Sequence, residues 1–153
     1  MFPVNLWVQK IRSRNINSVN EAKRWVSLFP LEHRKERVAR KHVDEWKSIH
    51  DFLDTGKGTA VEHSLILCGL LLGFGLNAYV CLGSSSDGAH AWVLTLSKVL
   101  DQNGESVWGN PLIWESLTAK VYKHDDPRVN YLYRTIGCVF NDKEYYANTQ
   151  EYD

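Results

Sequence analysis

The sequence predicts an α+β fold, with helices in the first half of the chain and an antiparallel sheet in the second. Three observations predict it: apolar residues recur at helical spacing before residue 55, an apolar helix pattern follows a glycine turn at 56–75, and short strand patterns fill residues 76–153. The 153 residues, of which 44% are hydrophobic, are typical of one globular domain.

Two helices are predicted before residue 55. Ser18 followed by Glu21 is a capping signal for the first helix, which Pro30 ends. The second is predicted from apolar residues at helical spacing, namely Val38, Val43, Trp46, Ile49 and Leu53. Its other face carries basic side chains that we call the basic strip: Arg34, Lys35, Arg37, Arg40 and Lys41. Acidic residues are interleaved with the basic strip, so it is either a solvated helix face or a surface that attracts an acidic partner.

A buried helix and a series of strands are predicted next. Thr59 fits an N-cap with Glu62 completing a capping box, and Gly75 fits the position just after the helix. Because residues 65–74 are almost entirely apolar, this helix should be buried on all sides. The predicted strands are 78–82, 89–96, 107–108, 112–115, 121–122 and 131–140, with a turn at 101–104.

Charge and cysteine content argue against several functional classes. Eighteen basic and eighteen acidic residues give no net charge, and therefore no basic footprint of nucleic-acid binding. Three cysteines, Cys68, Cys81 and Cys138, are too few for a disulfide scaffold and fit a reducing compartment. The apolar stretch at 65–82 contains three glycines, which favours a core helix and a strand over a membrane span. The histidines show no metal-ligand spacing, so we expect no metal site.

Three positions match the order of catalytic groups in papain-like cysteine enzymes. In those enzymes a cysteine lies at a helix N-terminus, where the helix dipole favours a thiolate. A histidine on a neighbouring strand moves the proton, and a carboxylate orients the histidine. Here the three positions hold Ala60, His90 and Glu115, and a methyl group cannot act as a nucleophile. Ser116 would replace Glu115 beside His90 if the strand register differed by one residue.

The residues around these positions resemble transglutaminase-like domains. The resemblance lies in segments 58–63, 67–75 and 90–93, which read GTAVEH, LCGLLLGFG and HAWV. It sharpens over residues 70–83, 113–118 and 133–141, which are similar to the transglutaminase-like domains of centrosomal and, more distantly, ciliary proteins. The resemblance covers residues 55–153 well, whereas residues 1–54 match only in helical character.

The resemblance implies a papain-like fold and a pseudoenzyme. Residues 1–54 would form the helical N-terminal part, and residues 55–153 the transglutaminase-like core, of a single domain from a larger protein. Active members carry cysteine where this chain has Ala60, and we expect a natural loss rather than an engineered change. The expected cleft is lined by residues near the former catalytic positions: His90, Trp92, Glu115, Ser116 and Glu62.

The resemblance also implies a role and a location. We expect a protein-binding or scaffolding module at the centrosome, centriole or ciliary basal body in the cytoplasm, without a cofactor. Its partner would be a protein or an extended peptide, with acidic tubulin tails as one candidate. Two alternatives stay open. One is an active cysteine peptidase or transamidase that lost its nucleophile at Ala60 by mutation or uses Cys138 instead. The other is a purely structural domain.

Overall fold

Among the described residues three helices precede the strands of a single sheet, and a fourth lies between two of its strands. The computed structural model describes residues 16–33 and 46–147, so the basic strip at 34–41 lies outside the described residues. The described helices are α1 (Val19–Ser27), α2 (Ile49–Thr55), α3 (Ala60–Gly73) and α4 (Pro127–Leu132). The described strands are β1 (Asn77–Ser85), β2 (Gly88–Leu100), β3 (Ser106–Glu115), β4 (Lys120–Lys123), β5 (Thr135–Phe140) and β6 (Tyr145–Ala147). The α+β prediction is confirmed.

Helix ends follow the capping signals of the sequence. The Ser18 hydroxyl accepts a hydrogen bond from the Glu21 amide at the start of α1, at 3.1 Å. At α3 the predicted capping box is present, with Thr59 as N-cap and Glu62 at the third helical position. Gly75 follows α3 with a φ of 89°, a left-handed conformation that glycine adopts without steric cost.

Two predicted elements were wrong in their boundaries. The apolar stripe from Val38 to Leu53 predicted one helix, of which Val38 and Val43 lie outside the described residues. Trp46 is not helical, and α2 begins at Ile49 because the Ser48 hydroxyl caps it there by accepting from the Asp51 amide. The strand predicted over 131–140 is divided. Its first residues belong to α4, which Asp126 caps and Pro127 begins, and β5 starts at Thr135.

The six strands form one antiparallel sheet in the order β4-β3-β2-β1-β5-β6. The predicted short strands at 107–108 and 112–115 are parts of one strand, β3. The register between β2 and β3 shifts between Thr95 and Ser97, opposite Asn110 and Pro111. Asn110 has a φ of 48° and Pro111 has no amide hydrogen, so these two residues form the irregular step of the ladder.

The sheet has a different apolar cluster on each face. On one face α3 packs against residues of β1, β2 and β3, including Val80, Val93 and Trp114. On the other face α4 and the residue after it cover Cys81, Trp92 and Ile113. No helix among the described residues is long and apolar enough to cross a membrane.

Candidate functional site

The start of α3 carries Ala60, the residue that the sequence pattern matched to the nucleophile position of papain-like enzymes. Ala60 is the first residue of α3 and is partly exposed. The Thr59 amide donates to Glu62 Oε1 at 2.9 Å, and the Glu62 amide donates back to the Thr59 hydroxyl at 3.3 Å. The side chain at position 60 is a methyl group with no proton to give and no lone pair to use.

The chain before α3 wraps around this helix start. The Glu32 amide donates to the Gly58 carbonyl at 2.7 Å, and the Gly58 amide donates to Pro30. The Lys47 amide donates to Glu62 Oε2. The Lys47 ammonium contacts Glu32 Oε2 at 2.5 Å, so an ion pair with a buried carboxylate joins the segment at 46–48 to the loop at 31–33.

A histidine of α3 adds a further link to the preceding chain. His63 is fully buried, with Nδ1 2.8 Å from the Thr59 carbonyl and Nε2 2.8 Å from the Phe29 carbonyl. A neutral imidazole donates through one nitrogen only, and both contacts are hydrogen bonds only when both nitrogens carry hydrogen. His63 therefore ties the first turn of α3 to the end of the α1 segment.

His90 and Glu115 form a pair on the sheet face that α4 covers. His90 Nε2 lies 2.8 Å from Glu115 Oε2 and donates to it. The Tyr133 hydroxyl donates to the same oxygen at 3.0 Å, and its ring stacks on the His90 ring. Burial and the neighbouring Glu115 carboxylate raise the pKa of Tyr133, so its phenol stays protonated and remains a donor. We call His90, Glu115 and Tyr133 the His–Glu–Tyr cluster.

Gly83 lies beside the His–Glu–Tyr cluster at a point of close packing. It pairs with His90 across β1 and β2. A Cβ at Gly83 would lie 1.9 Å from the Thr135 carbonyl oxygen and 2.8 Å from the Trp92 ring. Because Gly83 has no side chain, the Thr135 carbonyl of β5 and the Trp92 ring can pack closely against its backbone.

A serine pair attaches α3 to the strand that carries Glu115. Ser64, one turn after Ala60, lies with its hydroxyl oxygen 3.1 Å from that of Ser116, and both residues are fully buried. The serine pair lies on the sheet face that α3 covers, whereas the His–Glu–Tyr cluster lies on the face that α4 covers. Since Ser116 points to Ser64, Glu115 is the residue that pairs with His90.

The predicted cleft residues do not share one environment. Trp92, Glu62 and Ser116 are buried, and their polar groups or rings are used in internal packing. The side chains of His90 and Glu115 remain 16% and 13% exposed, so they are the two predicted cleft residues that reach solvent. The described residues contain no group of three or more metal-ligating side chains.

The three cysteines lie away from the start of α3. All are free thiols. Burial, as the main cause, raises the pKa of Cys68 far above its usual value and that of Cys81 to about 12. Both are core residues that do not form thiolates at neutral pH. Cys138 is partly buried in β5.

Sequence reasoning missed Tyr133 and the ion pair of Lys47 with Glu32. The Tyr133–Glu115 hydrogen bond and the Lys47–Glu32 ion pair each join residues that are distant in the chain, so no local sequence pattern predicts them. Pairing of Tyr133 with Glu115 depends on where α4 ends, and the last two residues of α4 were predicted as part of a strand. The start signal for α4, Asp126 before Pro127, is nevertheless visible in the sequence.

Comparison with known families identifies the domain. The family described as CEP76 peptidase-like domain matches residues 44–153. The chain belongs to the CEP76 peptidase-like domain family. The Centrosomal protein of 76 kDa of Xenopus tropicalis is 35% identical to it over 164 residues, which cover 99% of this chain and 23% of that protein. The human protein of the same name is 34% identical, with 99% and 24% covered.

A more distant relative belongs to a second group. The human Protein CC2D2B is 29% identical over 109 residues, covering 71% of this chain and 7% of that protein. The chain spans about a quarter of the length of the centrosomal relatives. These findings confirm the resemblance stated from the sequence. The names of the centrosomal relatives also support the predicted location at the centrosome or centriole.

Proposed function

We propose that this CEP76 peptidase-like domain is a non-catalytic, protein-binding or scaffolding module of a centrosomal protein. The observation that carries the proposal is Ala60 at the first position of α3. Covalent catalysis at a helix N-terminus needs a nucleophilic atom there, and a methyl group supplies none. The two core cysteines cannot replace it, because their pKa values are raised and their sulfur atoms are buried.

The proposed arrangement is papain-like and transglutaminase-like. A buried helix with a capped N-terminal turn packs on an antiparallel sheet, and two neighbouring strands, β2 and β3, carry a paired histidine and carboxylate. This order of helix, histidine strand and acid strand supports the assignment. Residues 1–54 would then complete the fold around α3 rather than form a unit of their own. The bonds from residues 30–32 and 47 to the start of α3 support that view.

The proposed binding surface is centred on the His–Glu–Tyr cluster. Glu115 Oε2 already receives two donors, from His90 and Tyr133. Nε2 of His90 donates to Glu115, and no described residue bonds to Nδ1 of the ring. A backbone amide or carbonyl of an extended peptide is a suitable hydrogen-bond partner for that nitrogen. The partner class is therefore a protein segment, and acidic tubulin tails remain one candidate sequence to test.

Two assays test the proposal. First, the purified domain is incubated with fluorogenic peptides and with amine-transfer substrates, and we expect no turnover. Turnover that disappears on alkylation of Cys138 would instead show an active enzyme. Second, the full-length protein carrying His90→Ala and Glu115→Ala is compared in cells with a control carrying His124→Ala and Asp54→Ala. The control removes an exposed histidine and an exposed aspartate outside the cluster.

The second assay separates binding from a purely structural role. Proximity labelling at the centrosome should lose specific partners in the cluster variant and keep them in the control. Direct titration of the domain with an acidic tubulin-tail peptide, against a neutral peptide of equal length, tests that candidate. Partner sets that are identical in both variants would favour the purely structural alternative.

A further inference from the structure

One segment of β3 has no neighbouring strand on its outer side. β4 pairs with β3 only over residues 112–115, and among the described residues no strand lies beside residues 106–110 on that side. We call residues 106–110 the β3 edge. Its sequence, SVWGN, has no charged residue, and every member except Gly109 is exposed. An uncharged, exposed strand edge offers unpaired backbone groups to another extended chain.

The neighbouring edge strand shows the usual protection that the β3 edge lacks. β4 is only four residues long, and Lys120 and Lys123 stand at its two ends. Short length and lysine side chains are the devices by which proteins discourage strand addition. Along the β3 edge the side chains are instead serine, valine, tryptophan, glycine and asparagine. The contrast indicates that residues 106–109 of the β3 edge, which precede the irregular step at Asn110, are open to pairing.

The β3 edge is held rigid before any partner arrives. It pairs with β2 from Ser97↔Gly109 to Leu100↔Ser106. The Asp101 carboxylate accepts from the Asn103 and Glu105 amides, each at 2.9 Å, which fixes the turn between the strands. The Lys98 ammonium lies 4.1 Å from the centre of the Trp108 ring, a cation–π contact that orients the indole. A preorganised strand loses little entropy when it binds.

We propose that the β3 edge binds an extended peptide segment of a protein partner as an added antiparallel strand. Every strand pairing in the sheet is antiparallel, which favours that direction for a seventh strand. Glu105 lies next to the start of the edge, and Lys123 lies beside its other end. An antiparallel peptide with an acidic residue at its amino end and a basic residue at its carboxyl end complements both charges.

This second surface is independent of the one proposed above. Glu115, the β3 member of the His–Glu–Tyr cluster, is the last residue of β3, whereas the β3 edge begins at the first residue, Ser106. A variant of the cluster should therefore leave binding at the edge unchanged. The two proposals can fail separately.

The test uses a blocked, fluorescein-labelled peptide of seven residues. It carries glutamate at its amino end, lysine at its carboxyl end and alternating valine and threonine between them. Fluorescence anisotropy with the whole chain should give a Kd below about 1 mM. A peptide with the two charged ends exchanged should bind more weakly. A peptide N-methylated at alternate residues on its pairing side should not bind, because it cannot donate ladder hydrogen bonds.

A matched pair of variants locates the binding. Val107 on the β3 edge and Val99 directly opposite it on β2 are 38% and 37% exposed. Val107→Lys places a charge on the edge and should raise the Kd at least about tenfold, whereas Val99→Lys should change it less than about twofold. Circular dichroism confirms that both variants fold. No binding by the wild type, or equal affinity of the two variants, overturns the proposal.

A second copy of the chain is the competing occupant. Sedimentation velocity on the whole chain should show a monomer in the absence of peptide. A dimer that dissociates in the Val107→Lys variant would mean that the edge pairs with itself, and the proposal of a peptide partner would be wrong. Protection of the amides at 106–110 from hydrogen exchange, seen only when the peptide is added, would support it.

Discussion

Replacing His63 should lower the free energy of unfolding of the domain. The size of the loss should depend on whether the new side chain can still donate a hydrogen bond from the position of Nδ1 or of Nε2. The side chain is fully buried and contacts the Thr59 and Phe29 carbonyls, both at 2.8 Å. The Thr59 carbonyl also accepts the helical bond from the His63 amide at 3.0 Å, so it keeps a partner in any variant. For the Phe29 carbonyl we find no second donor among the described residues. The contact through Nε2 is therefore the one whose loss matters.

The magnitude follows from that difference. His63→Leu removes the hydrogen bond to Phe29, worth about 1 kcal/mol, and leaves a partly buried carbonyl without a donor, which costs about 1–3 kcal/mol more. The total is about 2–4 kcal/mol. For a chain of this length, such a loss lowers Tm by about 5–15 °C. His63→Asn places its amide near the position of Nδ1, so it should lower the free energy of unfolding by nearly as much as His63→Leu.

His63→Gln is the matched control. Its amide nitrogen lies near the position of Nε2 and can still donate to the Phe29 carbonyl, so the expected loss is only about 1 kcal/mol. Urea unfolding at 25 °C, followed by tryptophan fluorescence, gives the free energies of unfolding. Equal losses for the asparagine and glutamine variants would refute the reasoning, as would a loss below 1 kcal/mol for leucine.

Three further predictions concern the thiols and the phenol. Iodoacetamide should label Cys138 well before Cys81, whose pKa burial raises to about 12, and equal labelling in peptide mass maps would contradict this. Because folding raises the pKa of Tyr133, the unfolded state loses its proton first above about pH 10, and stability falls as the pH rises further. Tyr133→Phe should reduce the fall in Tm between about pH 9 and 11, while the exposed Tyr131→Phe should not; identical curves would count against it. Ala60→Cys should create a thiol that is alkylated faster than Cys138 at pH 7, because a helix N-terminus favours the thiolate. An alkylation rate equal to or slower than that of Cys138 would contradict the prediction that this position can support a nucleophile.

Local signals in the sequence were sufficient for the framework of the fold. The capping box of Thr59 and Glu62 and the glycine at position 75 define α3, because each acts through hydrogen bonds or backbone angles within a few residues. The apolar stripe continues through Trp46, whereas the Ser48 cap begins α2 at Ile49, so residues 46–48 are not helical. Apolar periodicity alone does not show which of two overlapping signals prevails.

The candidate site was less accessible to sequence reasoning. The sequence named His90 and Glu115 as partners but left Ser116 as an alternative, since one residue of register exchanges their faces. The contact of Ser116 with Ser64 selects Glu115, and it depends on how α3 packs against β3. Tyr133 joins Glu115 from a different element, 18 residues away. Contacts of this kind are set by tertiary packing, which no periodicity encodes.

The start of α3 is stabilised independently of what stands at position 60. The Thr59–Glu62 capping box satisfies the helix end, and the amide of Lys47 adds a bond to the Glu62 carboxylate. Alanine is the residue with the highest helix propensity, so Ala60 costs the helix nothing. A cysteine there would be less favourable by about 0.5 kcal/mol. The fold therefore does not depend on a nucleophile at its helix start, and a domain used for binding can keep the whole arrangement with a methyl group in that place.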